Sequence, residues 1–356
     1  MNALTRRSTL ALLGGAALAP VAVRADSGEL NAVADRLVAS GANVHSILVA
    51  RGGKLMFERY MSGSDQIQDL RVKHAVFNEN TLHDLKSVSK SVASLAIGIA
   101  IDRGLIKSVD QPFFDFFPEL ADLRTPEKDR LRLVHALTMT AGLRWIEATP
   151  QTGDFDNDES RMHMSRDQAR YVLGLPLTAP PGQEFFYNTG TLQLLSAIMR
   201  KVTGHPLDEF ARANLFEPMG IAPVEWNRIR GDTDAGGGLR LRPRDMVKIG
   251  QLVLAGGNWN GRQLVSRAWI DASMVKRTTA SAKYDYGYLW WLGRSPYNER
   301  EVRVLAALGR GGQSIRIVPE LDLVVAVTAG YYQDYSPQSF ALQAKIFTDV
   351  LAALAG

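Results

Sequence analysis

Apolar positions along this chain fall into two regimes, with short β-rich runs near both ends and stretches of helical period between them. Residues 43–63, NVHSILVARGGKLMFERYMSG, are two β-rich runs around Gly52-Gly53, a pair suited to the positive φ values of a tight hairpin. A helix over residues 28–40 is expected to precede it. Over residues 85–102 the spacing of Val88, Ala93, Leu95, Ala96, Ile99 and Ala100 predicts a helix, with Gly104 closing it. Residues from about 112 to 223 read as mostly helical. RLRLVHALTMTAGLRW is an amphipathic stretch ending at Gly142, and residues 191–220 are two helices broken at Gly204-His205-Pro206 and stopped at Gly220. RDMVKIGQLVLAGG, from Arg244, is a further helix ending at a glycine pair. YGYLWWLG, EVRVLAALG, QSIRIVPE and LDLVVAVTAG then predict four strands, and PQSFALQAKIFTDVLAALAG a closing helix.

Short connections between those last strands require antiparallel pairing, because parallel neighbours need long crossovers. Strands at both chain ends around a helical middle predict one antiparallel sheet built from both ends, with helices on both faces. This is an α/β (α+β) architecture. The expected division is residues 26–110 with 245–356 for the sheet domain and 111–244 for an inserted, mainly helical domain.

Composition alters this picture at the N-terminus. TRRSTLALLGGAALAPVAVRA carries a twin arginine, an apolar run of about 14 residues and small residues at Val23 and Ala25 suited to cleavage. The run is short of the roughly 20 residues a membrane span needs. Residues 1–25 are therefore expected to be a twin-arginine-type export signal, and the mature protein periplasmic or secreted. Their removal takes Arg6, Arg7 and Arg24 and lowers the formal net charge from +4 to +1. That balance offers no argument for a nucleic-acid partner or an anionic membrane. With 356 residues, 46% hydrophobic and 22% charged, the remainder is an ordinary globular chain with room for a large core. Cysteine is absent, which excludes disulfides, thiol nucleophiles and zinc–thiolate sites.

The chemistry narrows by elimination. No G-x-S-x-G elbow is present. The six histidines show no metal-ligand spacing. GRGGQS and GGNWNG fail the dinucleotide and P-loop patterns. A mechanism without metal or cofactor is left. Ser87-Val88-Ser89-Lys90 is an S-x-x-K, and on a helix positions i and i+3 share a face about 5–6 Å apart. A lysine whose pKa is lowered by burial or a cationic neighbour can take the serine proton. The helix N-terminus adds free N–H groups where an oxyanion would form. Serine is also favoured at helix caps, and Ser273-Met274-Val275-Lys276 has identical spacing, so context must separate the two.

That context is order along the chain. PPGQEFFYNTG places Tyr187 about 100 residues after Ser87, and GRGGQSIRIVPE sets a glycine-rich turn at the head of a late strand. S-x-x-K, a Y-x-N-like element and a K-T-G-like strand follow the order of the serine β-lactamase and penicillin-binding superfamily. With SVSKSVASLAIGIAIDRG, LVHALTMTAGLRW, GGGLRLRPRDMVKIGQLVLAGGNWNGRQLVS and YGYLWWLG, the chain resembles its class C β-lactamase-like branch. Within that branch it resembles the 6-aminohexanoate-dimer hydrolase and esterase group. The resemblance implies that Ser87 is the acylated nucleophile, that Lys90 and Tyr187 move the proton, and that the N–H groups of Ser87 and Gln313 hold the oxyanion. Gly311 and Gly312 shape that turn. It also implies an exported serine hydrolase cleaving a small-molecule ester or amide through an acyl-enzyme on Ser87, the alternatives on the same fold being a D-amino-acid peptidase, a β-lactamase and a non-catalytic or weakly catalytic peptidoglycan binder.

Two positions depart from the family. Thr189 stands at the third place of the second motif, with Asn188 as the candidate substitute. Arg310 opens the third motif and could pair with a substrate carboxylate. Lys86 is expected to help depress the Lys90 pKa, His135 to be structural, one of Trp290 and Trp291 to line the cleft, and Trp145 and Glu147 to rim it.

Overall fold

A computed structural model describes residues 27–68, 70–147, 157–333 and 337–355; the expected signal peptide lies outside them. Helix α1 (Ser27–Ala39) leads into β1 (Val44–Arg51) and β2 (Lys54–Tyr60). The two strands turn at Gly52 (φ 58°) and Gly53 (φ 72°), the left-handed conformations a side chain resists. A second hairpin, β3 (Ser62–Ile67) and β4 (Leu70–Val76), and the short β5 (His83–Asp84) follow. Helix α2 (Val88–Asp102) comes next, with 13 of its residues buried, from Val88 to Ala100.

The helical middle contains α3 (Phe113–Phe116), α4 (Leu133–Leu137), α5 (Asp158–Met164), α6 (Gln168–Gly174), α7 (Gly190–Thr203) and α8 (Leu207–Ala211). The expected amphipathic stretch to Gly142 is helical only over α4, because Met139 (φ 56°) and Gly142 (φ 70°) both take left-handed backbone. Short strands β6 (Glu225–Trp226), β7 (Arg228–Ile229), β8 (Asp232–Thr233) and β9 (Leu239–Leu241) precede α9 (Pro243–Leu254). Strands β10 (Asn258–Trp259) and β11 (Arg262–Gln263), α10 (Arg267–Ser273), β12 (Thr278–Thr279) and β13 (Asp285–Tyr286) lead to the long strands. These are β14 (Trp291–Tyr297), β15 (Arg300–Gly309), β16 (Gln313–Val318) and β17 (Leu323–Ala329), and α11 (Pro337–Ala353) closes the chain.

The principal sheet runs β12-β13-β14-β15-β16-β17-β1-β2, and every pairing in it is antiparallel. Strand β17 pairs with β1, so the two chain ends close one sheet as expected. Both faces are covered. Leu30, Val33 and Ala34 of α1 and Ile346, Phe347 and Val350 of α11 pack with Ile47, Val325 and Val327. The opposite face, with Leu48, Ile315 and Val324, packs on α2 and α9 in a core continuous with the helical middle. No helix among the described residues is long and apolar enough to cross a membrane.

Helix α2 crosses behind the sheet because Gly98 admits a tryptophan edge. A Cβ there would lie 2.3 Å from Trp269 Cδ1, and Trp269 is itself buried and cannot swing away. Alanine normally improves a helix interior over glycine by about 1 kcal/mol, but overpacking a filled core costs about 1–3 kcal/mol. At 2.3 Å the steric term dominates. Gly98→Ala is expected to lower stability by about 1–2 kcal/mol net in urea unfolding; an unchanged or raised midpoint would refute this packing argument.

Candidate active site

Ser87 immediately precedes α2 with backbone φ −67°, ψ −4°. The residue before it, Lys86, holds φ 48°, an uncommon value for a side chain that long. This bend turns the chain from β5 into α2 and leaves Ser87 half-buried at the helix head. Lys90, one turn on and only 2% exposed, places its Nζ 2.9 Å from Ser87 Oγ and 2.7 Å from the Gly236 carbonyl. The Tyr187 hydroxyl shares a hydrogen bond with Ser87, and Lys90 Nζ lies 5.0 Å from the centre of the Tyr187 ring. The structure therefore joins the three residues that the sequence singled out.

Their electrostatics diverge. Burial, assisted by the Arg310 charge, draws the Lys90 pKa below its ordinary value, against the opposing pull of Glu147, Glu159 and Asp234. Burial, with Glu147 adding to it, lifts the Tyr187 phenol well above the usual range. Lysine is thus biased toward the neutral amine and tyrosine toward the neutral phenol. The cation acting on Lys90 is Arg310; the expected helper, Lys86, sits instead 3.7 Å from Asp84 Oδ2.

The third motif meets the nucleophile through a close backbone approach. Gly309 pairs with Gln313 across the β15–β16 turn, and a Cβ on Gly309 would stand 2.2 Å from the Leu85 carbonyl. Gly311 (φ 89°) and Gly312 (φ 100°) form the turn itself. Gln313 is fully buried, its side-chain amide donating to the Ala329 carbonyl. Asn188 is also buried, but its Oδ1 accepts from the Thr191 amide in the first turn of α7, so that side chain caps a helix. Thr189 at the third place turns its hydroxyl to Glu147 Oε1, 3.0 Å away, and its amide to Glu147 Oε2 at 2.8 Å.

Glu147 also accepts from Trp145 Nε1. Burial and Glu159 push its carboxyl up, while Lys90 and these hydrogen bonds pull it back. Trp145 is buried beneath it rather than at a rim. Trp291 packs in parallel on Tyr187 with ring centres 6.1 Å apart, whereas Trp290 is wholly buried. His135 Nδ1 accepts from the Arg132 amide and is structural, as expected. Ser89 and Ser91 donate to the Lys86 and Leu289 carbonyls. Ser273 donates to the Trp269 carbonyl and Lys276 pairs with Asp285, so the second S-x-x-K is ordinary structure.

An adjoining cleft of about 740 Å3, open solvent at its mouth included, is lined by charges of both signs: Asp84, Lys86, Glu147, Glu159, Asp234 and Arg310. Gly236 and Asp234 were not singled out from sequence. The run Ala235-Gly236-Gly237-Gly238 was the available signal, since a glycine at 236 is required where the Thr189 methyl would be 2.3 Å from a Cβ.

A serine, a buried lysine one turn on and a tyrosine, set between a helix head and the turn that joins two strands of the principal sheet, define a serine-hydrolase class of fold and site. The beta-lactamase family profile matches residues 30–334, and the chain belongs to that family as a serine hydrolase. It is similar to the 6-aminohexanoate-dimer hydrolase of Paenarthrobacter ureafaciens, 25% identical over 87% of this chain and 78% of that protein. It is similar also to esterase EstB of Burkholderia gladioli, 28% identical over 58% of this chain and 54% of that one. Among solved structures the fold is shared with EstCE1, a hydrolase with promiscuous acyltransferase activity (TM-score 0.71, 16% identity, 94% of this chain and 100% of that one). A class C beta lactamase from Rhodobacter sphaeroides shares it too (TM-score 0.67, 17% identity, 92% and 100%).

The contact at Gly236 gives a direct test. Gly236→Ala would force apart the Thr189 methyl and the carbonyl that holds Lys90, and a displacement of about 1 Å at a reacting group costs on the order of 100-fold. The variant is expected to keep its circular dichroism and lose about that factor in kcat on a p-nitrophenyl ester; wild-type kcat would show that the Gly236 carbonyl does not position Lys90.

Proposed function

We propose that this protein hydrolyses an ester or amide bond of a small molecule through an acyl-enzyme on Ser87. The observation that carries the reading is the 2.9 Å approach of a buried Lys90 Nζ to Ser87 Oγ. Neutral Lys90 takes the Ser87 proton as Oγ bonds to the substrate carbonyl carbon. The resulting oxyanion rests on the N–H groups of Ser87 and Gln313, a placement supported by the packing of Gly309 on Leu85. When the intermediate collapses, the bond to the leaving alcohol or amine breaks and that group receives a proton relayed through Tyr187. Water then adds to the acyl carbon, gives its proton to the same relay and frees Ser87.

The mixed charges of the cleft support a short substrate with ionised ends, with Arg310 and Lys86 toward a carboxylate and Glu159 and Asp234 toward an amine. The twin-arginine segment supports export, with hydrolysis occurring outside the cytoplasm. The names of the similar hydrolase and esterase agree with an acyl-transfer reaction of this breadth.

The direction of the Lys90 shift fixes the pH dependence. The base is active when deprotonated, so kcat/KM should be low at acid pH and rise to a plateau. The midpoint should lie below the ordinary lysine value of 10.5. Lys90→Ala should remove this rise. Ser87→Ala should reduce turnover of p-nitrophenyl acetate by about 10^4-fold or more, abolish labelling by a fluorophosphonate, and leave the unfolding midpoint near that of the parent. Undiminished hydrolysis by Ser87→Ala, or a wild-type profile that falls as pH rises, would sink the mechanism.

A further inference from the structure

Away from Lys90, the strands β1, β3 and β5 bring His45, Asp65 and His83 together in the interior, at 0%, 7% and 0% exposure. One donor atom from each lies within 4.8 Å of the other two. His45 Nδ1 stands 3.3 Å from His83 Nδ1 and 3.7 Å from Asp65 Oδ1. The opposite nitrogen of His45, Nε2, is 2.9 Å from the Ser64 carbonyl. A carbonyl only accepts, so Nε2 carries the hydrogen of the neutral ring and Nδ1 turns a lone pair toward His83 and Asp65. Among the described residues, Asp65 Oδ1 has no hydrogen-bond partner, nor has His83 Nε2.

A plain hydrogen bond from His83 Nδ1 to His45 Nδ1 would satisfy those two nitrogens but leave the buried Asp65 Oδ1 facing a lone pair. A cation answers all three atoms. Two nitrogens bound to a tetrahedral zinc at about 2.05 Å are about 3.3 Å apart, the separation found here, and Asp65 Oδ1 would close from its 3.7 Å separation from His45 Nδ1 to join them. The His45–Ser64 bond is the outer contact that fixes the tautomer of a metal-bound imidazole. Burial keeps both rings neutral, drawing His45 down to about 4 and His83 well below its usual value, and neutral imidazole is the form that ligates.

We propose that His45 Nδ1, His83 Nδ1 and Asp65 Oδ1 form a structural site for a divalent transition-metal ion of the zinc type. Its place in the fold gives it a purpose. Residue 83 is followed by Asp84, whose Oδ2 accepts from the Gln68 amide at 2.8 Å and lies 3.7 Å from Lys86 Nζ, and Ser87 comes next. The ion would pin β5 to β1 and β3, and so brace the segment that presents Ser87.

The site does not depend on the Ser87 chemistry, so the Ser87→Ala full chain serves as well as the parent. Each is unfolded with a chelator, refolded with or without one equivalent of Zn2+, desalted and assayed for bound metal and unfolding temperature. About one zinc per chain should be retained, with a melting temperature raised by about 5 °C or more. Co2+ in its place should give the visible bands of a tetrahedral site. Asp65→Asn, which preserves shape and packing, should retain less than about a tenth of an equivalent. His83→Gln should do likewise if it folds. Retention of less than that by the parent, or undiminished retention by Asp65→Asn, would overturn the proposal.

Discussion

A primary amine withdrawn from water needs partners, and the geometry of this site follows from how Lys90 finds them. At 2% exposure, Nζ has the Ser87 hydroxyl on one side and the Gly236 carbonyl on the other, at 2.9 and 2.7 Å. Burial disfavours the ammonium form. The neutral amine can direct an N–H at the carbonyl and its lone pair at the hydroxyl, the arrangement that prepares a serine proton for removal. The Glu147, Glu159 and Asp234 charges oppose this bias and Arg310 supports it, so the balance belongs to the whole cleft rather than to one neighbour.

Holding that amine constrains the backbone on every side. Lys86 bends through φ 48° so that the helix can start with Ser87 half-buried at its head. Leu85 is buried against the bare face of Gly309, where no side chain fits beneath its carbonyl. Asp84 sits within reach of both Arg240 Nε, at 2.7 Å, and Lys86 Nζ. Three consecutive residues before Ser87 are thus tied to β9, β15 and their own side-chain charges. Such overdetermination is what allows a strained residue to persist at a working site.

The parts of this arrangement legible in the sequence were those with a local period or a fixed chain order. Period 2 and period 3.6 marked the long strands and α2, and Gly52-Gly53 marked the hairpin, because each depends on neighbours a few residues away. Ser87 and Lys90 were legible as a helical i, i+3 pair, and Tyr187 and Gln313 through the order of blocks. What escaped depends on close approach between distant segments. Gly236 meets Lys90 across 146 positions, and His45, Asp65 and His83 meet from three strands with no spacing that a motif could register. The β3–β4 hairpin escaped for a different reason: Ser62–Ile67 reads SGSDQI, with too few apolar residues to show alternation. Asn188 and Lys86 were legible as polar residues near the site, but adjacency in sequence did not reveal that one caps α7 and the other pairs with Asp84.

The substitution of Thr189 for the family asparagine changes what the proposed base can do. An amide side chain at that place could both donate to and accept from Lys90, and could rotate between the two. Here the Thr189 hydroxyl is committed to Glu147 and its methyl presses on Gly236, where a Cβ would come within 2.3 Å. The polar partner of Lys90 becomes a main-chain carbonyl, which only accepts and cannot turn. It therefore holds an N–H of Lys90 in either protonation state and leaves the remaining direction of Nζ for Ser87. Glu147, anchored by Thr189 and Trp145, is an acid whose field acts on both Lys90 and Tyr187 in the direction that keeps their protons on. In the proposed mechanism, raising both pKa values makes the pair a stronger base and a weaker acid, so this field favours removal of the Ser87 proton over its return to the leaving group.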